Sequence, residues 1–183
     1  MKIEETEIQG CYTIQPTIVK DERGWFMRTF CEEQFAEIGN EIHFTQMNHS
    51  FNYKKGTFRG MHYQATPFAE EKLIRCVSGA VMDYVLDLRK NSSTFLKHIS
   101  LELSPVNRTM IFLPKGVAHG FQTLQDNTEL LYHHTVSYNK DFDGGLRFDD
   151  PKINITLTLP LSIISDKDKS YELISNEFTG IEV

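Results

Sequence analysis

Residues 56–79 of the chain read GTFRGMHYQATPFAEEKLIRCVSG, a segment typical of two β-strands joined by a polar loop. Arg59 and His62 are three positions apart in the first strand, so a regular pleat would direct their side chains to opposite faces. Gly60 lies between them, and a glycine inside a strand is typical of a bulge or a kink. We therefore predict that an irregularity at Gly60 brings both side chains into one pocket.

A second segment, residues 114–121, reads PKGVAHGF and has a spacing that complements the first. Five residues fit the cupin motif, G-x5-H followed after a spacer by P-x-G-x2-H: Gly56, His62, Pro114, Gly116 and His119. The chain in this respect resembles the cupins, whose fold is a jelly roll of antiparallel strands.

Short runs of β-forming residues, separated by turn residues, continue through most of the chain. The predicted strands are 12–19, 25–30, 44–50, 57–63, 72–78, 81–88, 97–103, 109–113, 118–123 and 130–136. A helix is predicted at 32–38, because Phe35 and Ile38 share a face and Gly39 follows, and a second short helix at 166–173. Many short strands indicate a sandwich or barrel, so we expect one mainly β domain, residues 1–183, of the cupin jelly-roll type with a few short peripheral helices.

Two positions of the cupin motif carry residues unsuited to a metal ion. Gln64 stands where the second histidine is expected, and Lys72 stands where the glutamate is expected. An ammonium group repels a divalent cation, and an amide is a poor substitute for an imidazole. We therefore predict no metal and no cofactor, against the alternative of a metal-dependent cupin oxygenase.

The composition limits the other classes of function. The chain has 183 residues, of which 25 are acidic and 19 basic, so its formal net charge is −6, which argues against a general nucleic-acid binder. The three cysteines have no metal-binding spacing and indicate ordinary reduced thiols. The N-terminal residues lack the apolar run of a signal peptide, and no segment approaches a membrane span. We expect a cytoplasmic protein that binds neither nucleic acid nor membranes.

Eight short motifs, in order and with their spacing, resemble the dTDP-4-dehydrorhamnose 3,5-epimerase family. They are DERG at 21–24, Gln46 with NHS at 48–50, RGMHYQ at 59–64, KLIRC at 72–76, DLRK at 87–90, AHGF at 118–121, LY at 131–132 and SDKD at 165–168. The resemblance implies a cofactor-independent epimerase of a nucleotide-linked 4-keto-6-deoxyhexose. It also implies a homodimer, in which an N-terminal strand of one chain completes the site of the other.

The resemblance assigns the chemistry to four residues. The proton beside a ketone is too weakly acidic to remove unless the enolate is stabilised where it forms. His62 would be the base, since the pKa of histidine lies near neutral pH, and Asp168 would fix its tautomer. Lys72 would stabilise the enolate oxygen, and Tyr132 would return a proton from the opposite face.

The resemblance also implies a set of residues that bind the substrate: Arg23, Phe26, Arg28, Gln46, Asn48, Arg59, His119, Tyr138 and Asp143. Arg23 and Arg59 would clamp the diphosphate, because a planar guanidinium suits phosphate oxygens. Gln46, Asn48 and His119 would line the sugar pocket, and Tyr138 would stack on the base.

Several positions depart from the family pattern. Arg28 replaces a glutamate near the nucleotide end, which keeps CDP- and GDP-linked sugars open as alternatives to dTDP-linked ones. Met47 replaces an aspartate, and residues 139–140 replace a Ser-Pro pair. His133 and His134 replace a lysine and a small residue, and because strand neighbours alternate, they cannot both enter one pocket.

Each assignment has a structural alternative. His62 is a strand histidine of a kind that is often structural, His119 could simply close a turn, and Tyr132 could be a core aromatic residue. Asp168 could be a solvated residue at a helix start. At the level of function, the alternatives are a single-centre epimerase, a ketoisomerase on a similar scaffold and a non-catalytic cupin that binds a nucleotide sugar.

Overall fold

The computed structural model describes residues 1–39 and 41–183, and in it two antiparallel sheets face each other. The strands are β1 (Lys2–Glu5), β2 (Tyr12–Gln15), β3 (Ile18–Asp21), β4 (Gly24–Met27), β5 (Gln46–Asn52), β6 (Phe58–Gln64), β7 (Lys72–Ser78), β8 (Val81–Asp87), β9 (His98–Leu103), β10 (Met110–Leu113), β11 (Val117–Thr123), β12 (Thr128–His134) and β13 (Asp143–Gly145). The helices are α1 (Glu32–Phe35) and α2 (Asp166–Ser170), with 3₁₀ turns at Ala36–Ile38 and Lys140–Phe142.

The strands divide between two layers. The first sheet has six strands in the order β1-β2-β10-β7-β12-β5, and the second has five in the order β13-β6-β11-β8-β9. Strands β3 and β4 form a separate hairpin. Two facing antiparallel sheets, in which most neighbouring strands are not consecutive in the chain, form a jelly roll, so the predicted mainly β fold of this type is confirmed.

Alternation along the strands explains how both sheets are covered. Ile74 of β7 faces the space between the sheets and packs with Val85 and Phe121 of the second sheet. Its neighbour Leu73 points outward, where Phe35 of α1 covers it. The chain after β13 packs against the outer face of the second sheet. Each large apolar side chain buried in this way stabilises the fold by about 1.5–3 kcal/mol.

The structure contains the predicted strands, but their ends are shifted, and one predicted strand is in fact two. The single strand predicted at 12–19 is two strands, β2 and β3, because Pro16 between them lacks the N–H that a continuous ladder would need. The strand predicted at 130–136 ends at His134. Strands β1 and β13 were not predicted; both lie at sheet edges, and β13 is a short Gly-rich stretch, DGG.

The two predicted helices are shorter than expected. The first is α1 followed by a 3₁₀ turn, and it ends at Gly39, which adopts φ 100° as a C-terminal glycine should. The second, α2, begins where the hydroxyl of Ser165 accepts a hydrogen bond from the Asp168 N–H at 3.0 Å. This cap fixes the position of Asp168 at the start of the helix.

The predicted irregularity at Gly60 is present. Strand β6 pairs with β11 so that His62 lies opposite His119 and Arg59 opposite Phe121, which leaves one extra residue on β6. Gly60 has φ 132°, and a Cβ atom there would come within 2.4 Å of the Gly120 Cα atom. Only glycine therefore allows the two strands to approach at this point. Through residues 1–39 and 41–183, no helix has the length and apolar character needed to cross a membrane.

Candidate active site

A cleft of about 550 Å³ opens between the two sheets. Its lining residues are Asn48, His49, Ser50, Thr57, Phe58, Arg59, His62, Lys72, His119, Phe121, Tyr132, His134, Ile163, Ser165, Lys167 and Asp168. All four predicted catalytic residues lie in it, together with three of the nine predicted substrate-binding residues, Asn48, Arg59 and His119. Arg59 and His62 share the cleft because of the extra residue on β6.

His62 and Asp168 form a close pair on one wall of the cleft. The His62 Nε2 atom lies 2.7 Å from the Asp168 Oδ1 atom. A carboxylate can only accept, so His62 carries its proton on Nε2 and leaves the lone pair of Nδ1 free. This arrangement suits a general base whose tautomer is fixed by its partner.

Asp168 is held in its charged form. The residue is only 4% exposed, and burial alone would raise the pKa of its carboxyl group. The hydrogen bond with His62 and the Gly60 N–H, which donates to Oδ2 at 3.3 Å, outweigh burial and lower the pKa below its usual value. Asp168 is therefore a buried acceptor and not a solvated residue at a helix start.

Tyr132 lies on the opposite wall, on β12 of the first sheet. Its ring centroid is 6.3 Å from that of His119, which stands beside His62 on the second sheet. The Tyr132 hydroxyl is 3.1 Å from the Ser50 Oγ atom, and burial raises its pKa above the usual value for tyrosine. Tyr132 consequently keeps its proton at neutral pH. It can act as an acid from the wall of the cleft opposite His62.

Lys72 projects from β7 into the same cleft and is nearly buried. Its Nζ atom lies 3.1 Å from the Glu70 Oε1 atom, and the other Glu70 oxygen lies 2.8 Å from the His134 Nδ1 atom. The ammonium group therefore has a fixed partner and lines the same cleft as His62 and Tyr132. A positive charge in this place can stabilise an oxyanion.

His119 is more than the residue that closes a turn. It is buried in β11, lines the cleft, and its Nε2 atom lies 2.7 Å from the Asp83 Oδ2 atom. Burial raises the pKa of the fully buried Asp83, and the contact with His119 offsets part of that rise. The histidine is held by its carboxylate partner with its ring directed at the cleft.

A polar rim borders the cleft at one end. The Tyr138 hydroxyl donates to the Asp143 Oδ2 atom at 3.0 Å, and Lys167 forms an ion pair with the same carboxylate. Gln46 accepts a hydrogen bond from the Tyr138 N–H at 3.0 Å and donates to Asn48 at 3.1 Å. These contacts connect Gln46, Tyr138 and Asp143, three predicted binding residues, to the cleft wall.

Three predicted binding residues lie outside the cleft of their own chain. Arg23 and Phe26 are on the β3–β4 hairpin, where Arg23 pairs with Asp21 and Phe26 is 68% exposed. Arg28 follows the hairpin and lies near Cys31. Their roles in binding remain predictions.

Gln64 and Lys72, which replace the metal ligands of the cupin motif, are both bonded to neighbouring protein groups. The Gln64 amide accepts from the Asn139 N–H at 2.7 Å and donates to the Phe68 carbonyl at 3.3 Å, which ties two loops together. Lys72 is paired with Glu70 as described. Across the described ranges, no group of three or more His, Cys, Asp or Glu residues has the arrangement of a metal site.

Nine of the sixteen lining residues were not predicted as site residues, among them Ser50, His134 and Lys167, and neither was Glu70, the partner of Lys72. Strand periodicity gives a signal for His134, because it lies two positions after Tyr132 and therefore on the same face. His134 indeed lines the cleft, whereas His133 packs against Phe44 on the other side of the sheet, so the predicted alternation is confirmed. Glu70 lies in a loop before β7, where no periodicity applies.

Comparisons with known proteins agree with this geometry. The family model described as dTDP-4-dehydrorhamnose 3,5-epimerase matches residues 5–176. The dTDP-4-dehydrorhamnose 3,5-epimerase of Shigella flexneri is 40% identical over 92% of this chain and 93% of its own. The crystal structure of the enzyme of that name from Elizabethkingia anophelis superposes with a TM-score of 0.92 at 36% identity, covering 97% of this chain and 98% of its own.

A further solved structure contains a sugar nucleotide. It is the dTDP-6-deoxy-D-glucose-3,5-epimerase of Legionella pneumophila in complex with dTDP-4-keto-L-rhamnose, with a TM-score of 0.89, 31% identity and coverage of 100% of this chain and 98% of its own. With a family model matched over most of its length and relatives of this similarity, the chain is an isomerase that belongs to the dTDP-4-dehydrorhamnose 3,5-epimerase family.

Proposed function

We propose that this chain converts dTDP-4-dehydro-6-deoxy-D-glucose to dTDP-4-dehydro-L-rhamnose by inverting C5 and C3. The observation that carries the proposal is the placement of His62, backed by Asp168, and of Tyr132 on facing sheets across one cleft. Inversion needs a base on one face of a carbon atom and an acid on the other. The two walls supply this pair.

The steps follow from the side chains. His62 Nδ1 removes the proton from C5, and the C–H electron pair passes into an enolate whose oxygen is that of the C4 ketone. The Lys72 ammonium stabilises this oxygen. Tyr132 then gives its hydroxyl proton to the other face of C5, and Tyr132 and His62 return to their starting states by exchange with solvent. The same sequence at C3 completes the reaction, and no cofactor takes part.

The nucleotide would lie along the rim. Arg59 would bind the diphosphate; it lines the cleft and donates to the Asn52 Oδ1 atom at 2.7 Å. Tyr138 is 55% exposed, so its ring is free to stack on the base. We propose a dTDP-linked sugar as the substrate, in agreement with the nucleotide in the Legionella pneumophila complex.

We also propose a homodimer. Strand β5 is an edge of the first sheet and carries Met47, which is 69% exposed, and Phe51. The β3–β4 hairpin exposes Val19, Trp25 and Phe26. Pairing of these apolar surfaces between two chains would cover the sheet edge and bring the hairpin to the partner's cleft.

The proposed compartment is the cytoplasm. Cys11, Cys31 and Cys76 are free, and burial raises the pKa of the Cys11 thiol to about 12 and that of Cys76 to about 11. Unreactive thiols of this kind suit a reducing compartment.

The test is NMR of dTDP-4-dehydro-6-deoxy-D-glucose incubated with the protein in deuterium oxide. We expect deuterium at both C3 and C5 and formation of the L-rhamno product.

Tyr132→Phe should still exchange the proton that His62 removes but should not invert the centre, because both proton transfers would then occur on one face. Label at a single carbon would indicate a single-centre epimerase. No exchange despite tight dTDP binding would favour a binding protein, and no exchange with no binding would direct the assay to CDP- and GDP-linked sugars.

A further inference from the structure

A buried pair, Glu70 and His134, links Lys72 to the rest of the cleft wall. Glu70 contacts the Lys72 Nζ atom through Oε1 at 3.1 Å and the His134 Nδ1 atom through Oε2 at 2.8 Å. The side chains of Glu70 and His134 are only 7% and 11% exposed. His134 also lies opposite Lys72 in the pairing of β12 with β7, so strand register and side-chain contacts hold the three groups together.

The chain of contacts continues from His134 to the rim. The His134 Nε2 atom lies 3.2 Å from the Asn48 Nδ2 atom, and the Asn48 Oδ1 atom accepts from the Gln46 Nε2 atom at 3.1 Å. Gln46 Oε1 accepts from the backbone N–H of Tyr138 at 3.0 Å. Lys72 at the reacting end and Tyr138 at the nucleotide end are therefore the two ends of one hydrogen-bonded series.

The direction of every bond in this series is fixed by its last member. A backbone N–H can only donate, so the Gln46 oxygen faces Tyr138 and the Gln46 amide nitrogen donates to Asn48. The Asn48 amide nitrogen must then donate to His134, which makes His134 Nε2 an acceptor. The His134 proton consequently resides on Nδ1 and is donated to Glu70, and the imidazole is neutral.

Glu70, which accepts from the His134 Nδ1–H, is held in its charged form. Burial raises the pKa of Glu70, but its bonds with His134 and Lys72 outweigh burial and leave the pKa below its usual value. A charged carboxylate thus lies between an ammonium group and a neutral imidazole N–H. The Tyr132 ring stacks on one face of the His134 imidazole, with centroids 6.2 Å apart and planes at 26°.

We propose that Glu70 and His134 are a positioning pair for the epimerase: Glu70 holds the Lys72 ammonium in place, and His134 holds Asn48. This inference rests on the proposed function, because it gives the two residues a role in placing groups that act on the substrate. Neither residue supplies a proton to it. Glu70 acts on the enolate step through Lys72, and His134 acts on substrate binding through Asn48.

Two substitutions of His134 separate its two bonds. In His134→Asn the amide nitrogen can take the place of Nδ1, so the bond to Glu70 is kept and the acceptor for Asn48 is lost. We expect KM to rise about five- to tenfold while kcat stays within about threefold of wild type. In His134→Gln the amide reaches the place of Nε2, so the contact with Asn48 is kept and the donor to Glu70 is lost. Here we expect kcat to fall about tenfold with little change in KM.

Glu70→Gln tests the other member of the pair. One end of a glutamine amide donates, so its NH2 group must face either the Lys72 ammonium or the His134 Nδ1–H, and both are donors. We expect kcat to fall about 10- to 100-fold, with KM within about threefold. The control is His133→Asn, at the neighbouring position on β12 whose ring packs on Phe44 away from the cleft.

Circular dichroism first shows that each variant is folded. Initial rates in the deuterium-exchange assay then give kcat and KM for each variant. If His134→Asn and His134→Gln change kcat and KM in the same way, or if all three variants behave like His133→Asn, the positioning role is wrong. Wild type that incorporates no deuterium would instead overturn the proposed function.

A second measurement needs no variant to be active. Long-range ¹⁵N–¹H NMR of the wild-type protein reports which imidazole nitrogen carries the proton, with the His134 signals assigned by their loss in His134→Asn or, if that variant does not fold, by their proximity to Tyr132. A neutral imidazole protonated on Nδ1 at pH 7 supports the inference. A proton on Nε2, or on both nitrogens, overturns it.

Discussion

Two histidines in this cleft have opposite proton arrangements, and the neighbouring carboxylates set both. His62 donates from Nε2 to Asp168 and keeps Nδ1 free for the substrate, whereas His134 donates from Nδ1 to Glu70. The residue type alone would make either one a candidate base. The buried partner decides which nitrogen is available. Of these two histidines, His62 keeps Nδ1 available, whereas the second nitrogen of His134 accepts a hydrogen bond from Asn48.

Replacing Asp168 should remove the base without removing His62. In Asp168→Asn the oxygen can still accept from the Gly60 N–H, so the amide nitrogen faces His62 Nε2 and forces the imidazole proton onto Nδ1. We expect kcat to fall by about 10² to 10⁴ while KM changes by less than about fivefold. Steady-state kinetics with a dTDP-linked 4-keto sugar measure both quantities.

Asp166→Asn is the matched control, since Asp166 lies on the same helix with a fully exposed side chain paired only to Lys169. It should have wild-type kinetics. A kcat for Asp168→Asn within about threefold of wild type would show that the pair does not set the tautomer during catalysis.

Strand β6 shows how one backbone feature serves both packing and function. The extra residue at Gly60 turns Arg59 and His62 to the same side, and the strand can then approach β11 closely. Gly60→Ala should destabilise the fold by about 2–4 kcal/mol, because a Cβ atom would lie 2.4 Å from the Gly120 Cα atom and the residue would keep an unfavourable φ of 132°. Urea unfolding measures the free-energy change.

Gly24→Ala separates the two causes. Gly24 has nearly the same φ, 130°, but the space around its Cβ position is open to 4 Å. This variant should lose only about 1–2 kcal/mol, the cost of the dihedral angle alone. Equal losses for both alanine variants would mean that the close contact with β11 relaxes freely and that the strand does not depend on it.

The C-terminal end of β8 is held by a carboxylate that should make stability depend on pH. Burial raises the pKa of Asp87, but hydrogen bonds from Arg89, Thr94 and Ser92 outweigh it and lower the pKa to about 2. Because the folded-state pKa lies below the unfolded value, this stabilisation is fully present above about pH 4 and is lost as the pH falls toward 2. It amounts to about 2 kcal/mol at neutral pH.

Asp87→Asn should therefore be about 2 kcal/mol less stable than wild type at pH 7, and the difference should narrow as the pH falls below 4. Chemical denaturation at a series of pH values gives the two curves. Asp149→Asn serves as the control, since Asp149 is paired with Arg147 at the surface, and its curve should follow wild type within about 0.5 kcal/mol. A constant difference at all pH values would assign the loss to packing and not to charge.

At the scale of the whole molecule, the sequence predicted the layers better than their edges. Short runs of β-forming residues bounded by turn residues identified β7, β8, β11 and β12 within one or two residues, because a strand covered on both faces is a nearly continuous buried run. β1 and β13 lie at sheet edges, where short polar strands have no such pattern.

The candidate site likewise contains residues that the sequence predicted and others that it could not. His62, Lys72, Tyr132 and Asp168 were named through the family resemblance, and the fold brings them together across distances in sequence that no local pattern spans. Glu70 could not be found, because its role depends on the pairing of β12 with β7 and on a loop that positions the carboxylate between two strands. Contacts of this kind arise only when the sheets are assembled.

The proposed dimer gives the last prediction, since it places parts of one site on two chains. Arg23 lies on the exposed hairpin of one chain, and His62 lies in the cleft of the other. Arg23→Ala and His62→Ala should each have low activity at substrate concentrations below KM. When the two variants are co-expressed, random pairing makes half of the dimers mixed, and each mixed dimer has one intact site, so about a quarter of wild-type activity should return.

The control for this complementation is co-expression of His62→Ala with Asp168→Asn. His62 and Asp168 are in contact within one chain, so each mixed dimer would contain two damaged sites and no activity should return. Light scattering coupled to size-exclusion chromatography would establish the dimer itself. If the Arg23 and His62 variants form mixed dimers that recover no more activity than this control, Arg23 does not act in the partner's cleft, and the hairpin serves only to cover the sheet edge.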